Sequence, residues 1–165
     1  MAEFIMSTVV LGIGATLFMD LWALIQIHIL KIQVLDYALV GRWAGSLAIG
    51  TRGQGPISSV PAFPHEAALG WAIHYATGIA YAALFLLIVR NGWQADPTLL
   101  PALAFGAASV VAPFFILQPG LGAGIAASRT PRPNVARFKS FLTHLVFGAG
   151  LYLTAVIMLL ASTQT

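Results

Sequence analysis

Three ionisable side chains, Asp20, His74 and His144, lie inside long apolar stretches of the sequence. At the centre of a transmembrane helix such a group costs at least about 2.5 to 3.5 kcal/mol on insertion scales, so it faces other helices and pairs with something. At 1.5 Å per residue, His74 and His144 lie roughly 9 to 11 Å from the near ends of their apolar segments and Asp20 roughly 15 Å. A carboxylate and two imidazoles at similar depth are a ligand set for a metal ion, and two histidines alone are one for haem iron. The same three groups could also exchange protons, because histidine titrates near neutrality. A proton or metal role is preferred to haem: a 165-residue chain need not enclose a porphyrin, and no further haem-pocket signature is present. The plainer alternative is that each side chain hydrogen-bonds a neighbouring helix while nearby glycines serve close packing. Gly70, His74 and Gly78 share one helical stripe, which leaves room beside the imidazole, and Ser140, His144, Gly148 and Tyr152 repeat the arrangement. Gln118, just before Pro119, could turn toward the same cavity.

A second constellation is Gly120, Gly122 and Gly124 followed by Arg129, Arg132, Arg137 and Lys139. Successive backbone N–H groups with guanidinium partners could form a nest for a phosphate. The preferred reading is a topology signal touching anionic lipid headgroups, since the run is neither G-x-G-x-x-G nor a P-loop. Gln26 and His28 stand near a helix end where they can snorkel to water, and Glu66 suits a helix N-terminus. No Ser-His-Asp order, H-E-x-x-H or carboxylate pair supports a hydrolase. The absence of cysteine excludes disulfides, iron–sulfur clusters, thioether-attached haem and a thiol nucleophile.

The elements that must position these groups are set by composition. The chain is 59% hydrophobic and 8% charged, against about a quarter charged in a soluble domain. So few charges cannot cover a soluble surface, and the bilayer is the main solvent. A hydrocarbon core of about 30 Å needs roughly 20 apolar residues per helix. Four segments qualify: 4–30, 67–89, 98–118 and 138–161. The expectation is an all-α, polytopic membrane protein forming a single domain over residues 1–165, a four-helix bundle. Pro113 should kink the third helix, whereas Pro101 falls harmlessly in its first turn. Leu35, Leu39, Val40, Trp43 and Leu47 recur at helical spacing behind Asp36, predicting an interfacial helix over 36–48. Residues 50–64 read as a Gly/Pro-rich loop.

Net charge is 8 − 5 = +3. Lys31, Arg42, Arg52, Arg129, Arg132, Arg137 and Lys139 fall in the two connections on one side, and Arg90 alone on the other. By the positive-inside rule both connections face the cytoplasm and both termini the periplasm or exterior. The N-terminus lacks a basic n-region and reads as retained. No basic groove with interleaved aromatics suggests nucleic acid; the expected partners are membrane lipids and either further copies of the chain or a larger membrane complex. His74-x3-Gly78 with Tyr81 and His144-x3-Gly148 with Tyr152 hint at two parallel hairpin repeats.

GIGATLFMDLW (12–22), YALVGRW (37–43), EAALGWAIHYATGIAYA (66–82), QPGLGAGIAASRTPRP (118–133) and THLVFGAGLYL (143–153) resemble an uncharacterised bacterial family of membrane proteins, domain of unknown function 2938. The resemblance covers nearly the whole chain. It implies a membrane location and carries no catalytic residue over. The leading functional reading is a site at Asp20, His74 and His144 for a proton, metal or small substrate, used in transport. The alternatives are an accessory subunit, whose small-residue faces (Gly12, Gly14, Ala15; Gly148, Gly150) pack against a larger complex, and a metal- or haem-binding redox protein.

Overall fold

The computed structural model describes residues 1–50, 55–89 and 92–163; Arg52 and Arg90, which enter the charge asymmetry, lie outside them. Helix α1 is Ala2–His28, α2 Tyr37–Ala48, α3 Glu66–Val89 and α4 Leu99–Ser109. A π-helical turn, Pro113–Leu117, then runs into Gln118–Gly120, and α5 is Pro133–Ser162. Short 3-10 turns occur at Ile57–Ser59 and Ile125–Ala127. Among the described residues four helical segments are long and apolar enough to cross a membrane: Ala2–His28, Glu66–Val89, Leu99–Gly120 and Pro133–Ser162. Their outer faces are apolar, as lipid permits and water does not. On α1 the exposed residues Ile13, Leu17, Leu21 and Leu24 form a helical stripe.

The boundaries have local causes. Asp36 caps α2, its Oδ1 accepting from the Ala38 N–H at 2.9 Å, so the helix predicted over 36–48 is present. Helix α1 ends at His28 rather than residue 30, because the Ile32 N–H turns back to the Gln26 carbonyl at 2.8 Å and Lys31 takes a left-handed φ of 54°. Helix α5 starts at Pro133 rather than residue 138. Proline is favoured in a first helical turn, and Arg137 and Lys139 ride on a helix that the apolar count truncated. At Pro113 the third span passes into π-helical winding.

The residues group into two compact units: Met1–Val34, Tyr75–Ser109 and Leu142–Thr165 form one, Leu35–His74 and Val110–Phe141 the other. The first has a core of Leu11, Ala15, Ala82, Phe85, Leu86, Trp93, Ala102, Phe147, Leu151 and Ala155. Trp93 turns back from the α3–α4 connection, edge-on to Phe85 with ring centroids 4.7 Å apart, and its indole N–H donates to the Thr98 carbonyl at 3.2 Å.

Glycines let these helices cross closely. A Cβ at Gly12 would strike the backbone of Ile79, and one at Gly78 would strike the Thr16 hydroxyl; between α4 and α5, a Cβ at Gly106 would strike the His144 carbonyl, and one at Gly148 the Ala102 carbonyl. Thr154 sits on Gly14, while Ala15 and Phe18 flank Gly150. The small residues Gly12, Gly14, Ala15, Gly148 and Gly150 are packed against helices of the same chain.

In the second unit α2 lies on the first turns of α3. A Cβ at Gly41 would fall on the Glu66 carbonyl, and one at Gly70 on the Tyr37 carbonyl. Beside that crossing Arg42 grips Glu66 with two prongs, Nε to Oε2 at 2.8 Å and Nη2 to Oε1 at 2.5 Å. The hydrogen bonds it donates to Glu66 raise the already high pKa of Arg42 further. Glu66 also accepts from the Phe63 N–H at 3.3 Å, so it serves the helix N-terminus as predicted and an ion pair that the sequence did not reveal. The two connections are tied together. The Ile57 N–H donates to the Leu121 carbonyl at 3.0 Å, the Trp43 ring covers Gly120, and Gly122 lies against the Gly55 carbonyl and Pro56.

Candidate intramembrane polar site

Asp20 and His144 both belong to the first unit. The Tyr75 hydroxyl donates to Asp20 Oδ2 at 2.7 Å, joining α1 to α3. His144 Nδ1 stands 2.7 Å from the Ser109 hydroxyl, and that hydroxyl is also 2.7 Å from the Gly106 carbonyl. Ser109 has one proton to give. With that proton directed to Gly106, which can only accept, His144 Nδ1 would be the donor to Ser109 and the imidazole the Nδ1–H tautomer.

Ser109 is a junction for a second reason. Pro113 has no N–H to return to the Ser109 carbonyl one turn back, a loss inherent to proline in a helix. The Tyr81 hydroxyl replaces it, donating to that carbonyl at 3.2 Å. Replacing Tyr81 with Phe should therefore destabilise the fold by about 1 kcal/mol, the typical worth of one hydrogen bond. Thermal unfolding in detergent would measure it, and an unchanged midpoint would show that the carbonyl does not need the tyrosine.

His74 falls in the second unit. Its Nε2 is 3.0 Å from the Tyr37 hydroxyl, and Tyr37 also packs on Trp71 with ring centroids 4.5 Å apart. Gln118, in the same unit, donates through Nε2 to the Ser140 hydroxyl at 2.9 Å. Among the described residues no group of three or more His, Asp or Glu side chains is placed to hold a metal ion. Each of Asp20, His74 and His144 has a hydroxyl beside it.

In the basic segment the N–H groups of Leu121, Gly122, Ala123, Ala127, Ser128 and Arg129 donate to nearby carbonyls. Its glycines serve close packing and left-handed turns, with φ of 88° at Gly122 and 76° at Gly124. Arg137 clamps the turn, its Nε donating to the Ala126 carbonyl at 2.8 Å and Nη1 to Asn134 at 3.0 Å. Arg129 and Arg132 remain exposed, while Lys139 is half-buried.

Sequence reasoning did not connect the hydroxyls of Tyr37, Tyr75 and Ser109 with these groups. For Tyr75 and Ser109 the available signal was their position within apolar segments, as for the acid and imidazoles. The segments quoted above for their family resemblance fall within one continuous match: the family model described as "Protein of unknown function (DUF2938)" matches residues 9–158. The chain belongs to the DUF2938 family. No curated protein and no solved structure matches it. The match spans both compact units, so Asp20, His74, Gln118 and His144 all fall within the family region.

Proposed function

We propose that the chain is a four-helix bundle of a bacterial inner membrane that binds and passes protons through Asp20, His74 and His144, coupling them to the movement of a small substrate. The observation that carries this reading is the pairing of Asp20 and His144, both in apolar helices, with hydroxyls that can relay a proton, Tyr75 and Ser109. A purely structural polar contact could be made by neutral side chains at lower insertion cost. Proteoliposomes holding the full chain, a pH-sensitive dye inside and a potassium diffusion potential test it. Proton flux several-fold above empty liposomes is expected. A rate equal to that of empty liposomes overturns the proton reading and leaves an accessory role.

The orientation is part of the same proposal and rests on the asymmetry of basic residues. A reporter fused after Thr165 should read out as periplasmic, and one inserted within residues 50–64 as cytoplasmic. A cytoplasmic C-terminus would reverse the orientation and place the polar groups in the outer half of the membrane.

A further inference from the structure

We propose that the turn before α5 and the first two turns of that helix form a binding surface for an anionic phospholipid, with the phosphate at Arg129 and Arg132 and an acyl chain along Val135 and Phe138. Charge is the first ground. After Asp96 the sequence has no Asp or Glu, so the basic run of Arg129, Arg132, Arg137 and Lys139 has no acid of its own half of the chain to neutralise it. Arg137 is committed to the Ala126 carbonyl and Asn134. Arg129 and Arg132 are exposed, and neither side chain makes a hydrogen bond or ion pair among the described residues.

The second ground is the apolar surface beside these cations. Val135 is 53% exposed, Phe138 65% and Phe141 39%, and their i, i+3, i+6 spacing puts them along one side of α5. Ile125, on the turn that Arg137 clamps, is 58% exposed. In water this combination would be costly, and against a headgroup layer it is favourable. The helix is long enough to reach that layer: residues 140–162 alone exceed the roughly 20 needed to cross the hydrocarbon, which leaves 133–139 for the polar zone. Exposed cations at the foot of a stripe that continues into the hydrocarbon match a phosphate joined to acyl chains. A soluble anion would gain nothing from Phe138.

This surface does not depend on the proton reading. The test reconstitutes the full chain in phosphatidylcholine vesicles containing a small fraction of spin-labelled phosphatidylglycerol or, in parallel, spin-labelled phosphatidylcholine. The motionally restricted fraction of each label measures its association. Wild type should prefer phosphatidylglycerol, and each arginine removed should weaken that preference roughly fivefold, so that the R129Q/R132Q variant loses it. R129K/R132K should retain it, which separates loss of charge from loss of fold. V135S/F138S should weaken both labels, and added salt should erode the preference. Equal association of the two labels with wild type, or an undiminished preference in R129Q/R132Q, would overturn the proposal. Displacement by inorganic phosphate beyond that caused by chloride at equal ionic strength would also overturn it, by showing a site for free anions.

Discussion

Valine in place of Gly70 should lower the stability of the protein by about 3 kcal/mol or more, the upper range for overpacking. The reason is the identity of the obstacle. A Cβ at Gly70 meets the carbonyl of Tyr37, which is main chain of α2 and cannot rotate aside. To admit the side chain α2 must move off α3, and the Arg42–Glu66 pair beside the crossing must lengthen with it. The effects of Gly70→Val and Arg42→Ala should therefore be less than additive, since the first already disturbs what the second removes. Gly92, where a Cβ would meet nothing within 4 Å, is the control; Gly92→Ala should be neutral. Tryptophan fluorescence during thermal unfolding in detergent reports all three variants. A Gly70→Val protein as stable as wild type would mean that the two helices do not meet at these glycines.

Asp20→Asn should bring proton flux in proteoliposomes down to the level of empty liposomes, because the amide has the shape of the acid and no titrating proton. Tyr75→Phe removes the hydroxyl that donates to Asp20 and should slow flux without abolishing it, as the carboxyl itself remains. For the imidazoles the double variant decides. If His74 and His144 serve one proton path, His74→Ala with His144→Ala will be hardly slower than either single variant, as for groups that act as a unit. Independent structural roles would give losses near 0.6 kcal/mol each, in stability rather than flux, that add. Wild-type flux in Asp20→Asn would remove the carboxylate from any proton path.

What the sequence disclosed is what solvent and local geometry dictate. Four apolar stretches are legible because a bilayer demands about 20 such residues each. Helix α2 is legible because Asp36 caps a periodic apolar pattern. The hidden part is tertiary. Gly41 and Gly70 are visible as small residues, but nothing local says that each faces the carbonyl of a residue on the other's helix. The partners of Asp20, His74 and His144 lie 55, 37 and 35 positions away, beyond the reach of any helical periodicity. The start of α5 is not legible in an apolar count, because a helix can leave the hydrocarbon and continue.

The bond from Tyr81 to the Ser109 carbonyl also has a mechanical meaning. A continuous helix resists bending through its own ladder of main-chain bonds. At Pro113 one rung is missing and the following turn is widened, so just before that point the third span is held by a side chain on another helix. The hydroxyl anchors the last α-helical turn. Because this anchor and the imidazole of His144 both attach to Ser109, a shift of that one residue would disturb both contacts.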